Sequence, residues 1–285
     1  MSIHYIIATY NGKSNRKHCF PKPEQILQCH LHKLANVNHN LSKITISKAS
    51  SSNHYPNYYQ IQDILPKIHS PINIVDVENY GYSMGQWLKA YEQDNQKFDY
   101  YFFMEDDYCP NLNDFDKIIC DMYNQKFPDK IGMLCSVVEG SVDYMANGGY
   151  PPHFGGIVVV SKETMERLYG YERWEGNPRG WLDRLTEPSG LKKLRKAYLG
   201  GYYQVSFSHL FNLSGIRLDS YVEENYKKMY LRFPYWDDSK KEISFFRKDG
   251  TRTKKCYAED IFNSPIIPVQ LWDNEAINQH LRIRI

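Results

Sequence analysis

Two hydrophobic periods take turns along the first third of the chain. Ile3 to Ala8 is a short β-branched and aromatic run that predicts a strand, ending in the turn-forming Thr9-Tyr10-Asn11-Gly12. A polar loop with Lys13, Arg16 and Lys17 follows. Pro23 then opens a helix, where its fixed φ and missing donor do no harm. Ile26, Leu27, Leu31 and Leu34 recur on that helix at helical spacing, whereas Ile44 and Ile46 alternate with Lys43 and Thr45 and predict a second strand. Tyr59 to Ile68 reads as a short helix broken around Pro66. Ile72, Ile74, Val75 and Val77 predict a third strand. It runs through Glu78-Asn79-Tyr80-Gly81 into a helix that begins near Ser83 and carries Trp87, Leu88 and Tyr91. Tyr101 to Met104, four large apolar residues in a row, is the fourth strand, of the kind buried on both faces. Alternation of strand and helix in this order predicts a parallel sheet with right-handed crossovers.

The pattern continues beyond Pro110, which is expected to stop the ladder. Asn113 or Asp114 caps a helix with Phe115, Ile118, Ile119 and Met122 on one face. Ile131 to Val138 is a further buried strand that ends at Glu139-Gly140-Ser141. Residues 142–152, with Gly148-Gly149 and Pro151-Pro152, form a loop long enough to be functional. Phe154 to Ser161 gives a glycine pair, a strand and a cap, then a helix that uses Met165 and Leu168. Residues 171–188 read as an irregular cover rich in Trp174 and Trp181. Helical spacing returns with Leu191, Leu194 and Tyr198, with Phe207, Leu210 and Phe211, and over 221–230. A hairpin is expected around Asp249-Gly250.

The candidate chemistry lies at the end of the fourth strand, where Met104 meets Glu105, Asp106 and Asp107. Ligands bind at the carboxyl ends of strands in open α/β sheets. Three adjacent, part-buried carboxylates repel one another unless a cation is near, and a hard divalent ion held by their oxygens is the natural remedy. Such an ion can bridge to a diphosphate. Acidic residues also occur in plain solvated turns, but placement directly after a core strand favours a metal–nucleotide site. Gly81 and Gly85 do not make the dinucleotide fingerprint, and no phosphate-binding Walker sequence occurs. His30 and His32 lie two apart on the first helix and make a poor metal pair. Both are expected at the surface or the edge of the core.

Composition narrows the class without choosing within it. At 285 residues, with 42% hydrophobic and 24% charged, the chain is an ordinary globular protein with room for one large α/β domain. A net charge of +2 gives no field that argues for nucleic acid. The six cysteines form no C-x-x-C pair, and Cys120 and Cys135 sit in apolar runs as buried thiols of a reducing compartment. No apolar run reaches the ~20 residues that cross a bilayer, and the N-terminus lacks the basic flank of a signal peptide. A cytoplasmic location is expected. Aromatics at 15%, including 24 Tyr, suit sugar or base stacking as well as ordinary packing.

Four segments in order carry a resemblance: Thr9-Tyr10-Asn11; Val77-Glu-Asn-Tyr-Gly-Tyr-Ser-Met-Gly85 before a helix; Asp99-Tyr running into Glu105-Asp106-Asp107; and Phe154-Gly-Gly-Ile-Val-Val-Val-Ser161 before another helix. Together they resemble the GT-A-fold nucleotide-sugar glycosyltransferases, most like the family 2 group of bacterial and large-virus glycan enzymes. The resemblance covers residues 1–215 and implies a GT-A-like catalytic domain, its nucleotide-sugar half about 1–110 and its acceptor half about 111–215. Residues 216–285 are a C-terminal extension packed on the same domain. By resemblance, Glu105-Asp106-Asp107 stands where the family binds Mn²⁺ or Mg²⁺ and the sugar diphosphate. Asp107 matches the metal ligand and Asp106 faces the ribose or sugar, while Glu105 replaces the family's first Asp as the second metal-side carboxylate. Thr9, Tyr10 and Asn11 match the loop that cradles the nucleobase and ribose, Asn79 and Gly81 a second nucleotide turn, and Gly155 and Gly156 the turn near donor sugar and acceptor.

The reaction so implied moves a sugar from a nucleotide donor, UDP by default, to a glycan hydroxyl. Inversion, with a carboxylate as general base, is favoured over retention. The family's Glu-Asp pair after the glycine strand is missing. Asp183 is the first candidate base, with an ion pair to Arg179 or Arg184 as its alternative, and Glu139 is the second. Two rivals stand beside this reading: a nucleotidyltransferase that activates a sugar phosphate, and a glycan-binding protein without catalysis.

Overall fold

The structure, a computed structural model, describes residues 1–12, 25–50, 54–78, 82–110, 112–139, 153–170, 211, 216–220, 230–232, 235–237, 242–244 and 256–257. Its strands are β1 (Ile3–Thr9), β2 (Lys43–Ala49), β3 (Ile72–Val77), β4 (Tyr100–Glu105), β5 (Tyr108–Pro110), β6 (Gly132–Glu139), β7 (His153–Ser161), β8 (Arg217–Ser220), β9 (Tyr230–Arg232), β10 (Tyr235–Asp237), β11 (Glu242–Ser244) and β12 (Cys256–Tyr257). Its α-helices are α1 (Ile26–Asn36), α2 (Tyr82–Glu92), α3 (Phe115–Lys126) and α4 (Lys162–Gly170).

Seven strands make one sheet in the order β3-β2-β1-β4-β7-β6-β8. Neighbours among β3, β2, β1 and β4 run parallel, as do β6 and β8. β7 is antiparallel to both β4 and β6, so β6 points the same way as β4. This is the mostly parallel, Rossmann-like sheet flanked by helices that the sequence predicts. β5 and β9 pair antiparallel beside it, and β10, β11 and β12 form a small antiparallel sheet.

The two-residue period of each strand sorts the core into two layers. Ile3, Tyr5 and Ile7 of β1 and Phe102 and Met104 of β4 pack with Leu27, Leu31 and Leu34 of α1 and with Phe115, Ile119 and Tyr123 of α3. Ile6, Ala8, Tyr101 and Phe103 point the other way, onto Trp87 and Leu88 of α2 and Met165 and Leu168 of α4. β1 and β4 are therefore covered on both sides, which explains their unbroken apolar runs. Cys29, Cys120 and Cys135 are buried.

Several local expectations are corrected. Residues 59–68 do not form an α-helix: turns lead into a single 3₁₀ turn, Leu65–Lys67, with Pro66 in its first positions. Pro110 does not stop the ladder but ends β5, opposite Tyr230 of β9. A strand of this two-stranded pair is an edge, where a missing N–H is tolerated. Asp114 sits at the N-cap of α3 with a left-handed φ of 57° and no side-chain cap, while Asn113 Oδ1 accepts from the Asn38 N–H at 2.8 Å. His30 is fully buried, not at a core edge, because both its ring nitrogens find partners. The cap after β7 forms as expected: Ser161 Oγ accepts from the Thr164 N–H at 3.0 Å. The proposed helix at 191–198, residues 221–229 of the one proposed at 221–230, and the hairpin tip at 249–250 lie outside the described residues, and Tyr230 opens strand β9 rather than ending a helix. β11 and β12, which flank that tip, pair antiparallel.

Candidate active site

The acidic triplet closes β4 at the carboxyl edge of the sheet, next to the loop that leaves β1. The two are joined by the last bond of the ladder, Asp106 N–H to Ala8 carbonyl at 3.2 Å. The three carboxylates are not equivalent. Asp106 is fully buried, whereas Glu105 and Asp107 are partly exposed. Ser83, in the first turn of α2, donates to Glu105 Oε1 at 2.7 Å, which fixes the start of that helix beside the end of β4. A helix start presents unsatisfied N–H groups and partial positive charge, so it favours a carboxylate or phosphate nearby. Trp87, one turn further on, anchors the same helix by donating from Nε1 to the Met104 carbonyl at 2.9 Å, its ring stacked 5.6 Å from that of Phe103.

Asp106 is held beneath this surface. The Tyr58 hydroxyl donates to its Oδ2. Its main-chain carbonyl contacts His30 Nδ1 at 3.2 Å, and His30 Nε2 contacts the Tyr5 hydroxyl at 3.0 Å. Burial pushes the His30 imidazole down to about 4, against the pull of Asp106, so the ring is neutral at pH 7. A carbonyl only accepts. His30 therefore carries its proton on Nδ1, and the Tyr5 hydroxyl donates to Nε2.

The β1 loop is tied down with equal care. Thr9 Oγ1 lies 2.8 Å from the Tyr58 hydroxyl, and the Thr9 N–H donates to Gln86 Oε1 of α2 at 3.1 Å. The Asn11 amide spends both ends on one residue, donating to the Tyr55 carbonyl at 3.0 Å and accepting from its N–H at 2.9 Å. Tyr10, between them, is partly exposed, and its ring lies against Gly12.

The same edge carries the other expected residues that are described. Because β6 runs parallel to β4, Glu139 at its end lies on the side of the sheet where Glu105 ends β4. Gly155 and Gly156 are not in a turn. They lie within β7, the strand between the two, just before Val158, the partner of Phe103. Asn79, Gly81 and Asp183 lie outside the described residues. Among the described residues, no group of three or more His, Cys, Asp or Glu side chains is placed to hold a metal ion. The donor set at the end of β4 is two partly exposed carboxylates. That set suits a hard ion which completes its shell with phosphate oxygens and water.

Tyr58 and Gln86 are absent from the sequence-based expectations and belong to no motif, while His30 is expected there only at the surface or the edge of the core and Ser83 only as the start of a helix. The only trace of Tyr58 is a tyrosine-rich stretch, Tyr55 to Tyr59, between β2 and β3.

No family model matches the sequence, and no curated protein does. Among solved structures, the chain is similar to mouse xyloside xylosyltransferase 1 at 9% identity and a TM-score of 0.41, over 76% of this chain and 82% of that one. It is similar to the galactosyltransferase LgtC in complex with donor and acceptor sugar analogues at 11% identity and a TM-score of 0.47, over 76% and 72%. It is also similar to CMP:2-keto-3-deoxy-manno-octonic acid synthetase complexed with CTP, at 10% identity and a TM-score of 0.42, over 78% and 89%.

Proposed function

We propose that the protein is a metal-dependent glycosyltransferase of the family 2 type. It moves a sugar from a nucleotide-sugar donor, UDP-linked, to a hydroxyl of a glycan acceptor, with inversion. The observation that carries this reading is the pair of partly exposed carboxylates, Glu105 and Asp107. They end a fully buried central strand beside the start of α2 and the β1 loop. Asp107 and Glu105 are the residues that would hold Mn²⁺ or Mg²⁺. An ion held by these two carboxylates would supply positive charge to offset that of a departing diphosphate. The N–H groups that open α2 favour the same negative charge. Asn79 and Gly81, which precede this helix in the sequence, and Gly155 and Gly156 of β7 complete the proposed donor pocket. Asp183 and Glu139 are the candidate bases that take the acceptor hydroxyl proton. For Glu139, its place on the edge that carries Glu105 supports the role.

The test is donor hydrolysis with a panel of nucleotide sugars, with and without Mn²⁺. Metal-dependent release of nucleoside diphosphate is expected, with its loss in Asp107→Ala. Retained turnover in that variant would count against the assignment. Release of pyrophosphate from a nucleoside triphosphate and a sugar phosphate would favour a nucleotidyltransferase. Glycan affinity without nucleotide affinity would favour a binding protein.

A further inference from the structure

The hydrogen bonds around Asp106 have only one consistent direction. A carboxylate accepts and cannot donate, so the Tyr58 hydroxyl spends its single proton on Asp106 Oδ2. Thr9 Oγ1 must then donate to the Tyr58 oxygen, and the Thr9 N–H is already given to Gln86. Thr9 and Asn11 are each 1% exposed and Asp106 is 0% exposed. Thr9 has no donor left for a ligand, and the Asn11 amide is spent on Tyr55. Asp106 is fixed at its amide by Ala8, at its carbonyl by His30 and at its carboxylate by Tyr58.

We propose that Thr9, Tyr58 and Asp106 form a positioning unit that contacts no nucleotide. It clamps the β1 loop to the acidic turn, so that Glu105 and Asp107 are presented together to the cation. Among the described residues of that loop, Tyr10 is the side chain that meets the nucleobase. This assignment rests on the glycosyltransferase reading and deepens it. Three of the residues expected to touch the donor, Thr9, Asn11 and Asp106, are thereby moved beneath the site, and the specificity of the loop passes to Tyr10. The clamp acts on the metal-holding carboxylates from behind, as outer-shell partners act on metal ligands, where removal costs 10- to 100-fold in affinity.

The experiment uses the full chain and two separate readouts. Mn²⁺ affinity is read from the free-ion electron paramagnetic resonance signal, and UDP or GDP affinity in EDTA by titration calorimetry. Tyr58→Phe and Thr9→Val each remove a hydroxyl and little volume. Both are expected to weaken Mn²⁺ about tenfold or more and to leave metal-free nucleotide affinity unchanged. Tyr10→Ala is expected to do the reverse. Unchanged Mn²⁺ affinity in Tyr58→Phe, with wild type binding Mn²⁺ normally, overturns the clamp. So does a loss of metal-free nucleotide affinity in Thr9→Val or Asp106→Asn. A wild-type protein that binds neither probe overturns the functional reading itself, and the clamp with it.

Discussion

Ser83 donates a 2.7 Å hydrogen bond to Glu105 across the gap between the first turn of α2 and the last residue of β4. The bond joins the two elements whose ends frame the proposed diphosphate position, and it links residues 22 apart in the chain.

A hydrogen bond to a charged, part-buried acceptor contributes about 1.5–3 kcal/mol. Ser83→Ala is therefore expected to lower the stability of the folded chain by about 1.5–3 kcal/mol, read from the denaturant midpoint at unchanged slope. Ser83→Thr, which keeps the hydroxyl, should recover most of it. Equal losses in both variants would mean that the helix start tolerates no side-chain change, and would remove the bond as the cause.

Stability should fall as pH drops below neutral. His30 is held neutral by burial, with its pKa lowered from 6.5 to about 4, and burial likewise lowers that of His4. The unfolded chain takes up a proton at each imidazole below pH 6.5 while the folded chain does not, so stability is lost between about 6.5 and 4. For His30 the shift corresponds to about 3 kcal/mol at the acid end. His30→Asn should unfold more easily at pH 7.5, with Tyr5 and the Asp106 carbonyl deprived of their partner, yet show a shallower fall of Tm with acid. A slope equal to that of wild type would show that His30 titrates normally.

A Cβ at Gly12 would lie 2.3 Å from the far end of the Tyr10 ring. The ring can swing aside, so Gly12→Ala should change Tm little. It should change nucleotide affinity several-fold, because the displaced ring is the one proposed to meet the base. A Gly12→Ala variant with unaltered nucleotide affinity and unaltered Tm would remove Tyr10 from the site.

Gly132 offers a contrast within the core, where a Cβ would meet the Phe127 ring at 2.2 Å. Both residues are buried, and Phe127 packs on Tyr123 with ring centroids 4.9 Å apart. Overpacking of this kind costs about 1–3 kcal/mol. Gly132→Ala should lose about that much in chemical denaturation, with nucleotide affinity unaffected.

The sheet was legible because its strands are buried on both faces. Ile3–Thr9 and Tyr100–Glu105 carry apolar runs that no solvated strand would carry, and the acids that follow β4 mark its carboxyl end. What the sequence did not show is the polar lattice under the site. Tyr58, His30, and the α2 pair Ser83 and Gln86 reach it from three separate segments, and contacts 22 to 77 residues apart leave no local period. The same long-range bonds explain why His30 was misjudged: helical spacing gave its face but not its two partners. The acidic triplet was read as a unit, whereas the turn buries its middle member and leaves the outer two at the surface. β8 and β9 were equally hidden, since each is recognised only by the strand it joins, β6 and β5.

The most direct measurement is a thermal shift with UDP, GDP, dTDP and CMP, each with and without Mn²⁺, on wild type and Asp107→Asn. Only a ligand that prefers the folded state raises the midpoint, and saturation at 100 times Kd adds about 2.7 kcal/mol, or roughly 5 °C for a chain of this size. The account predicts such a rise for a nucleoside diphosphate with Mn²⁺ in wild type, a much smaller one without the ion, and none that depends on Mn²⁺ in Asp107→Asn. A rise of the same size with or without Mn²⁺, or one unaffected by Asp107→Asn, would contradict it.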